Sequence, residues 1–340
     1  MTTLKWQHPM TGQFPTTRLR RNRQSAWLRD LVAETNLSEK DLIYPLFIRD
    51  HNSPKTIHSL PGVERYDVDA LLQQVAVASE AKIPAICLFP YFSPDQRLAN
   101  VVEMLSPENI YCEAIRRIKS NFPDMGVIAD VALDCYTSHG QDGIVRDGVI
   151  LNDETVSIIS DYAITIAEAG ADIIAPSEMM DGRIGAIRKR LDEKNFQDIA
   201  VMSYAAKYAS NFYGPFRDAV GSKECLGLAD KRSYQIDPRN SLEALREVAQ
   251  DIAEGADMVI VKPGLPYLDV VKAVKDTYGV PTFAYQVSGE YAMLKAASQQ
   301  GWLDFDSCLY ETALSFKRAG ADGILSYGAI ELASLLKKGL

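Results

Sequence analysis

Three segments of the chain nearly repeat one another: AGADIIAPS (169–177), EGADMVIVK (254–262) and AGADGILSY (319–327). Each follows a stretch with helical periodicity and ends in a short apolar run. The glycine in each segment (Gly170, Gly255 or Gly320) suits the left-handed position that ends a helix, and the aspartate two residues later begins the next strand. The repeat therefore predicts a chain built from helix–strand units.

Eight short apolar runs extend this pattern from residue 43 onwards. They are IYPLFI (43–48), AICLFP (85–90), GVIADVAL (126–133), DIIAPS (172–177), IAVMSYA (199–205), MVIVK (258–262), TFAYQV (282–287) and GILSY (323–327). Continuously apolar strands that alternate with helices indicate a parallel sheet covered by helices. Eight such units predict an α/β fold, the (β/α)8 TIM barrel, with a doubly wound open sheet as the alternative. No GxGxxG or GxxxxGKS motif follows a strand, so the nucleotide-binding forms of the open sheet lack their phosphate loop.

Composition narrows the function classes. The 340 residues include 36 Lys and Arg against 45 Asp and Glu, giving a formal net charge of -9. A chain this acidic is a poor general nucleic-acid binder. The five cysteines are scattered, without a CxxC pair, which favours reduced thiols in the cytoplasm. No apolar run approaches the roughly 20 residues needed to span a bilayer, and the N-terminus lacks the apolar core of a signal peptide, so we expect no membrane association.

Two segments depart from the strand–helix rhythm. Residues 1–40 contain two tryptophans and a basic run of five arginines, and we interpret them as an N-terminal arm. Such an arm is either solvated or packed on a neighbouring subunit of a homo-oligomer. The barrel then spans residues 41–340. Residues 208–240 have no clean period and are too aromatic for a linker, which predicts an active-site lid.

The barrel fold places the active site at the C-terminal ends of the strands. Two lysines, Lys207 and Lys262, end adjacent predicted strands. An ordinary lysine has a pKa of about 10.4, so only about one in 2,500 is neutral at pH 7. Mutual repulsion and desolvation in a dry barrel mouth would lower that pKa and permit Schiff-base chemistry with a carbonyl substrate. The alternative for either lysine alone is an ordinary snorkelling or phosphate-binding cation.

Carboxylates cluster after the third strand, in DVALDCYTSHGQDG (130–143). The period of two predicts that Asp130, Ala132 and Asp134 share one strand face, and Asp142 returns after a turn that contains Gly140. Such a cluster suits either a hard cation or a substrate amine.

These motifs resemble those of the porphobilinogen synthase (5-aminolevulinate dehydratase) family over nearly the whole chain. The matching segments are DVALDCYTSHGQDG (130–143), APSEMMDGRIGAIR (175–188), SYAAKYASNFYGPFRDA (203–219), IVKPG (260–264), YQVSGEYAM (285–293) and KRAGADGILSY (317–327). The resemblance implies a TIM barrel whose N-terminal arm wraps a partner, usually in a homo-octamer. It also implies the condensation of two 5-aminolevulinate molecules to porphobilinogen, with loss of water, in tetrapyrrole (heme and chlorophyll) biosynthesis.

The resemblance also implies roles for individual residues. Lys262 would form the Schiff base with the substrate that becomes the propionyl side of the product, and Lys207 would hold the other substrate. Arg217 and Lys231 would bind one substrate carboxylate, and Ser288 and Tyr327 the other. The remaining residues that the resemblance places in the pocket are Asp130, Asp134, Asp142, Ser177, Phe216 and Gln235.

The chain departs from the family's zinc-dependent members, which have three cysteines at positions held here by Ala132, Asp134 and Asp142. Losing three soft thiolates removes the catalytic zinc site and favours magnesium, a monovalent cation or no metal there. Glu247 matches the family's allosteric magnesium site, with Arg20 and Asp181 as candidate neighbours. Taken alone, Glu247 is an ordinary exposed helix carboxylate.

Two other functions remain possible from the sequence. A class I aldolase also uses a lysine at a strand end, but it needs neither a second lysine nor a basic lid. A catalytically silent barrel, kept as an assembly module, would form no imine at all.

Overall fold

The computed structural model describes residues 12–97, 101, 105–222 and 230–339, and the chain divides into two compact units between Asn36 and Leu37. Within the first unit, residues Leu19–Arg23 form a 3-10 helix and Ala26–Leu31 an α-helix, and neither buries a side chain. The predicted arm ended four residues later, at residue 40. Residues 1–11 of that arm lie outside the described residues.

The second unit is a closed barrel of eight parallel strands. The strands are β1 (Leu42–Ile48), β2 (Ala85–Pro90), β3 (Gly126–Val131), β4 (Ile173–Pro176), β5 (Ala200–Lys207), β6 (Met258–Lys262), β7 (Thr282–Gln286) and β8 (Gly323–Ser326). Each strand pairs with the next along the chain, and β8 pairs with β1. This closure confirms the predicted (β/α)8 barrel over the open sheet.

Helices surround the barrel. Those within the described part of the second unit are Val68–Glu80, Ile110–Asn121, Asn152–Ala169, Arg183–Glu193, Gly214–Ala219, Leu242–Glu254, Leu268–Tyr278, Ser288–Gln299, Phe305–Ala319 and Ala329–Lys337. A short strand, Arg65–Tyr66, extends the sheet at β1, and Ile144–Arg146 pairs with Val149–Leu151 as a hairpin after β3. Among the described residues, no helix combines the length and apolar character needed to cross a bilayer.

The three repeated junctions end helices and set the strand register in the same way. Their glycines are left-handed, with φ of 104° at Gly170, 109° at Gly255 and 106° at Gly320. The carboxylates of Asp172, Asp257 and Asp322 accept hydrogen bonds from the amides of Val127, Val201 and Thr282, over 2.8, 2.7 and 2.7 Å. Each aspartate therefore binds its own strand to the start of the preceding one, because a strand's first amides otherwise lack a partner.

The strands are apolar on both faces because both faces are buried. One set of side chains packs outward against the helices, and the alternate set fills the barrel interior. The interior includes Phe47, Phe89, Tyr204, Tyr285 and Tyr327, so its upper half is mostly aromatic.

Strand β5 contains an irregularity that decides where its last side chain points. Ser203 pairs with Val259, but Ala206 pairs with Val261, so one extra residue lies between these pairs on β5. An extra residue reverses the inward and outward alternation beyond it. The bulge therefore places Lys207 opposite Lys262. In an unbroken strand, Ala206 would lie opposite Lys262 and Lys207 would face the helices.

Candidate active site

Lys207 and Lys262 are the last residues of neighbouring strands, and the two lie directly opposite each other in the sheet register. Lys207 is 5% exposed and Lys262 is 2% exposed. Residues at the same register of adjacent parallel strands project to the same side, so both amines enter the barrel mouth. Their surroundings, however, differ.

An aromatic enclosure surrounds the Nζ of Lys262. The distances to the ring centroids are 4.6 Å for Phe216, 4.6 Å for Tyr285, 4.9 Å for Tyr204, 5.5 Å for Tyr213 and 5.9 Å for Phe89. Within the described part of the chain, this Nζ has no hydrogen-bond or ion-pair partner. Burial, aided by the positive charge of Lys207, lowers the pKa of Lys262 to about 7, although Asp130 opposes the change. About half of the Lys262 amine is then neutral at pH 7.

The amine of Lys207 has polar partners instead of aromatic ones. It donates a hydrogen bond to the carbonyl oxygen of Ser177, at the end of β4, and lies 3.7 Å from Asp142 Oδ1. The ammonium of Lys231 shares the same carboxylate, with its Nζ 2.9 Å from Asp142 Oδ2 and 3.8 Å from Asp134 Oδ2. Two lysines therefore converge on Asp142.

Asp134 and Asp142 are both buried, but their pKa values are shifted in opposite directions. Burial raises the pKa of a carboxyl, yet at Asp142 the charges of Lys207 and Lys231 and a 2.6 Å hydrogen bond from Tyr234 outweigh it and hold the pKa well below its usual range. At Asp134, burial and the nearby negative charge of Asp142 raise the pKa. Asp142 is thus the permanent counterion of this cluster.

Asp130 lies at the end of β3 and is also buried. Burial raises its pKa to about 7, against the opposing charges of Lys262 and Lys207. Its Oδ1 has no hydrogen-bond partner among the described residues. A carboxyl that titrates near pH 7 beside a half-neutral amine can both give and take a proton.

Strand-end residues and the segment after β5 cover the lysines. The Oγ of Ser288 accepts a hydrogen bond of 2.8 Å from the amide of Phe216. The ring of Tyr327 stacks on Phe47, with centroids 5.9 Å apart, and its hydroxyl lies 3.1 Å from that of Tyr285. Ser288 and Tyr327 thus each contact a residue whose ring encloses Lys262, Phe216 and Tyr285 respectively.

Two other predicted pocket residues, Arg217 and Gln235, line the same cavity as Lys207 and Lys262. Arg217 is half-buried, and its guanidinium forms no ion pair with the described residues. Gln235 donates a long hydrogen bond of 3.5 Å to Asp142, and its Oε1 has no partner within the same residues. Residues 223–229 of the predicted lid lie outside the described residues.

One small cavity joins the two halves of the site. It is lined by Asp134, Asp142, Lys207, Tyr213, Phe216, Arg217, Lys231, Gln235 and Lys262, and its volume is about 20 Å³. That volume holds about one water molecule. A substrate larger than a water molecule therefore enters only if side chains that line the cavity move.

Glu247 lies apart from this cavity, on helix Leu242–Glu254. It lines two grooves of about 710 and 360 Å³, and Asp181 and Glu243 line both with it. Burial raises the pKa of Glu247 despite the charge of Arg183, and the nearby carboxylates raise it further. Arg20, its other predicted neighbour, belongs to the first unit.

The prediction that Asp130, Ala132 and Asp134 share one strand face is wrong for Ala132 and Asp134, because β3 ends at Val131. Asp134 lies in a turn. The return of the chain instead places it near Asp142: the amide of Leu133 donates to the carbonyl oxygen of Asp142 over 3.3 Å. The alternation rule fails here because it applies only to extended chain.

Several residues that shape the site were not singled out from the sequence. Tyr204 and Tyr285 enclose Lys262, Tyr234 holds Asp142, and Glu290 joins the loops after β6 and β7. Tyr204 and Tyr285 occupy positions at which the alternation of their strands points side chains into the barrel, so the sequence pattern could have identified them. Nothing in the local sequence marks Tyr234, whose partner is 92 residues away.

Comparison with known proteins identifies the family. The family model for delta-aminolevulinic acid dehydratase matches residues 16–335. The chain belongs to the delta-aminolevulinic acid dehydratase family. A relative of that name from Bradyrhizobium diazoefficiens is 56% identical over 94% of this chain and 91% of its own length, and one from Rhodobacter capsulatus is 50% identical over 96% and 98%.

Solved structures agree with this assignment. The delta-aminolevulinic acid dehydratase (porphobilinogen synthase) of Toxoplasma gondii, crystallised with the reaction product porphobilinogen, superposes with a TM-score of 0.92 at 45% identity, covering 95% of this chain and 92% of that one. The resemblance inferred from the sequence motifs is thereby confirmed, and so is the barrel that it implied.

Proposed function

We propose that Lys262 and Lys207 carry the reaction of this enzyme, in which two molecules of 5-aminolevulinate condense to porphobilinogen with loss of water. The observation that carries the proposal is the pairing of the two lysines at one register with unlike surroundings. The Lys262 amine is half neutral at pH 7 and therefore nucleophilic, whereas the Lys207 amine is paired with a carboxylate.

Lys262 is the nucleophile in this proposal. Its neutral Nζ attacks the ketone carbon of the substrate that becomes the propionyl side of the product, giving a carbinolamine. A nearby acid then protonates the hydroxyl group of the carbinolamine, which leaves as water, and the imine forms. Asp130 is suited to supply that proton, because its pKa of about 7 leaves half of it protonated at neutral pH. The aromatic enclosure limits the access of water to the imine.

Lys207 holds the second substrate. The Asp142 carboxylate and the Ser177 carbonyl fix its amine beside Lys262, so the two bound substrates would lie side by side. Holding both reactants in this way converts an encounter between them into a step within one complex.

Two sets of polar groups are suited to the substrate carboxylates. Arg217 and Lys231 are cationic donors that line the cavity, and an Arg–carboxylate pair makes strong bidentate hydrogen bonds. Ser288 and Tyr327 present hydroxyls on the Lys262 side. Ser288 Oγ accepts from the Phe216 amide over 2.8 Å and donates to the Phe212 carbonyl oxygen over 3.5 Å, a long bond that a substrate carboxylate would replace.

Asp134 and Asp142 serve as counterions in this proposal, and no catalytic zinc is required. Asp142 contacts both Lys207 and Lys231, so its oxygens already have cationic partners. Oxygen ligands are also poor zinc ligands in comparison with thiolates. A monovalent cation in the pocket remains compatible with these oxygens.

Magnesium at Glu247 is the proposed allosteric cofactor. Magnesium commonly keeps several waters and takes one or two protein carboxylates. Glu247 is half-buried and shares its grooves with Asp181 and Glu243, which fits a hydrated ion that Glu247 holds. Chelation should lower activity partly, magnesium should restore it, and zinc should not be required. Binding is read independently of activity by isothermal titration with magnesium alone. Glu247→Gln should lose it, and Glu311→Gln on helix Phe305–Ala319 should not.

The arm supports a homo-oligomer, which we propose to be an octamer in the cytoplasm. Its large apolar side chains are exposed in a single chain, including Phe14 (74%), Trp27 (67%) and Leu31 (73%). Burial of such a surface against a neighbouring subunit would be favourable. Sedimentation velocity should give the mass of eight chains for the intact protein and a smaller assembly for Trp27→Glu.

Borohydride trapping with 5-aminolevulinate, followed by peptide mass mapping, tests the proposed chemistry. We expect a substrate-sized adduct on Lys262, absent in Lys262→Met and unchanged in the control Lys272→Met, which replaces an exposed lysine of helix Leu268–Tyr278. Lys207→Met should keep the Lys262 adduct and make no porphobilinogen. An aldolase would keep full turnover of its own substrate without Lys207. Folded protein with no adduct on either lysine would refute the proposal in favour of a silent barrel.

A further inference from the structure

Glu290 is a buried acid close to the site that has no part in the function proposed above. It is the third residue of helix Ser288–Gln299, which begins directly after β7, and it is 2% exposed. Buried carboxylates are rare unless paired with a cation. Among the described residues, no basic side chain contacts Glu290.

Backbone amides take the place of a cation. Oε1 of Glu290 accepts a hydrogen bond of 2.7 Å from the amide of Leu265, and Oε2 accepts from Val287 over 2.7 Å and from Gly264 over 3.4 Å. The bond from Val287 is that of an ordinary capping box at the start of a helix. The other two bonds come from a different loop.

The two loops are those that follow the site residues of β6 and β7. Gly264 and Leu265 are the second and third residues after Lys262, and Val287 immediately precedes Ser288. One carboxylate therefore joins the chain beyond the proposed nucleophile to Val287, the residue just before Ser288, which carries a proposed carboxylate-binding hydroxyl. Hydrogen bonds to an ionised acceptor are roughly twice as strong as neutral ones.

The junction is also closely packed. A Cβ at Gly264 would lie 2.5 Å from the Phe316 ring and 2.9 Å from the Tyr285 carbonyl oxygen, and one at Gly289 would lie 2.4 Å from the Phe212 carbonyl oxygen. Through Ser288, the same helix start also holds the amide of Phe216. The strand ends and the lid segment thus meet around Glu290.

The ionised form is the one that makes all three bonds. Burial raises the pKa of Glu290 to about 7, although its three amide donors favour the anion. A protonated or amide side chain has a donor of its own, which would face backbone N–H groups.

We propose that Glu290 is a positioning residue. It joins the ends of β6 and β7 so that the Lys262 amine and the Ser288 hydroxyl bind one and the same substrate molecule. This inference rests on the function proposed above for Lys262 and Ser288. Glu290 itself touches no substrate.

Glu290→Gln tests the proposal, because the amide keeps the size of the side chain but cannot accept from all three N–H groups. Val274→Ala is the matched control, since it weakens the outer core on helix Leu268–Tyr278 without touching either strand end. In the purified, assembled enzyme we expect Glu290→Gln to lower kcat and the rate of imine trapping at Lys262 at least tenfold, and to raise KM for 5-aminolevulinate. Val274→Ala should change these values less than twofold.

Hydrogen exchange supplies a readout that a general loss of stability would not reproduce. Peptides that contain Gly264, Leu265 and Val287 should exchange faster in Glu290→Gln while the rest of the barrel keeps its protection. If Glu290→Gln matches Val274→Ala in kinetics and exchange, Glu290 has no positioning role, although the chemistry at Lys262 stands. If the unaltered enzyme forms no Lys262 adduct, the function proposed for Lys262 fails first.

Discussion

The proposed role of Lys262 as the nucleophile leads to a quantitative prediction about pH. With a pKa of about 7, half of this amine is neutral at pH 7. An ordinary lysine has about one neutral molecule in 2,500 at that pH, so the enclosure increases the reactive form by about a thousandfold. With attack of the amine on the ketone as the limiting step, before the proton of Asp130 is used, the rate of imine formation should rise tenfold per pH unit below pH 7 and level off above about pH 8.

The assay uses 4-oxopentanoate (levulinate), which has the ketone and carboxylate of the substrate but no amine to titrate. The initial rate of adduct formation on Lys262 is measured with cyanoborohydride from pH 5.5 to 10, by peptide mass mapping. Phe216→Ala removes one of the two nearest rings, 4.6 Å from Nζ, and admits water to the ammonium form. Because burial is the main cause of the lowered pKa, the plateau should then begin at a higher pH, and the rate at pH 7 should fall by about fivefold to tenfold.

Phe212→Ala is the control, because Phe212 lies four residues earlier in the same segment and its ring is not one of the five around Lys262. It should leave the profile unchanged. A rate that rises steadily to pH 10 in the unaltered enzyme would refute the lowered pKa. An identical plateau in Phe216→Ala would refute the aromatic enclosure as its cause.

Three further outcomes follow from the buried charges. Lys262→Met should be inactive but more stable at neutral pH. Between pH 7 and 10.4, Lys262 keeps its proton in the unfolded chain but has lost it in the folded one, so the free energy of unfolding of the unaltered enzyme rises with pH. The stability advantage of Lys262→Met should therefore shrink by about 1.4 kcal/mol per pH unit. Urea unfolding at pH 7.5 and 9.5 measures this change. Asp142→Asn leaves Lys207 and Lys231 without their shared counterion, so KM for 5-aminolevulinate should change at least tenfold in steady-state assays; an unchanged KM would contradict the role of Asp142. Arg183 lies 3.0 Å from Asp251 with both side chains buried, so Asp251→Ala should lower the free energy of unfolding by about 3 kcal/mol in urea, and a loss below about 1 kcal/mol would show that Arg183 finds other partners.

Much of the fold could be predicted from local patterns. The junction repeats predicted helix ends and strand starts to within a residue or two, because a left-handed glycine and a strand-initiating aspartate act over a few residues. Eight apolar runs predicted eight strands, and burial of both faces explains why they do not alternate in polarity. Both lysines could likewise be predicted as site residues, because each ends a predicted strand and the strands of a parallel barrel all finish at one rim.

What lay beyond these patterns depends on contacts between distant segments. The bulge in β5 turns Lys207 inward, and its register is defined only against β6. The rings around Lys262 come from β2, β5 and β7 and from the segment after β5, so its lowered pKa has no local signature. Asp142 meets Lys231 across 89 residues, and Glu290 meets Leu265 across 25. Residue types and periodicity specify which side chains face the barrel mouth, whereas burial and charge act through space, and only the closed barrel brings these groups close enough to change one another's chemistry.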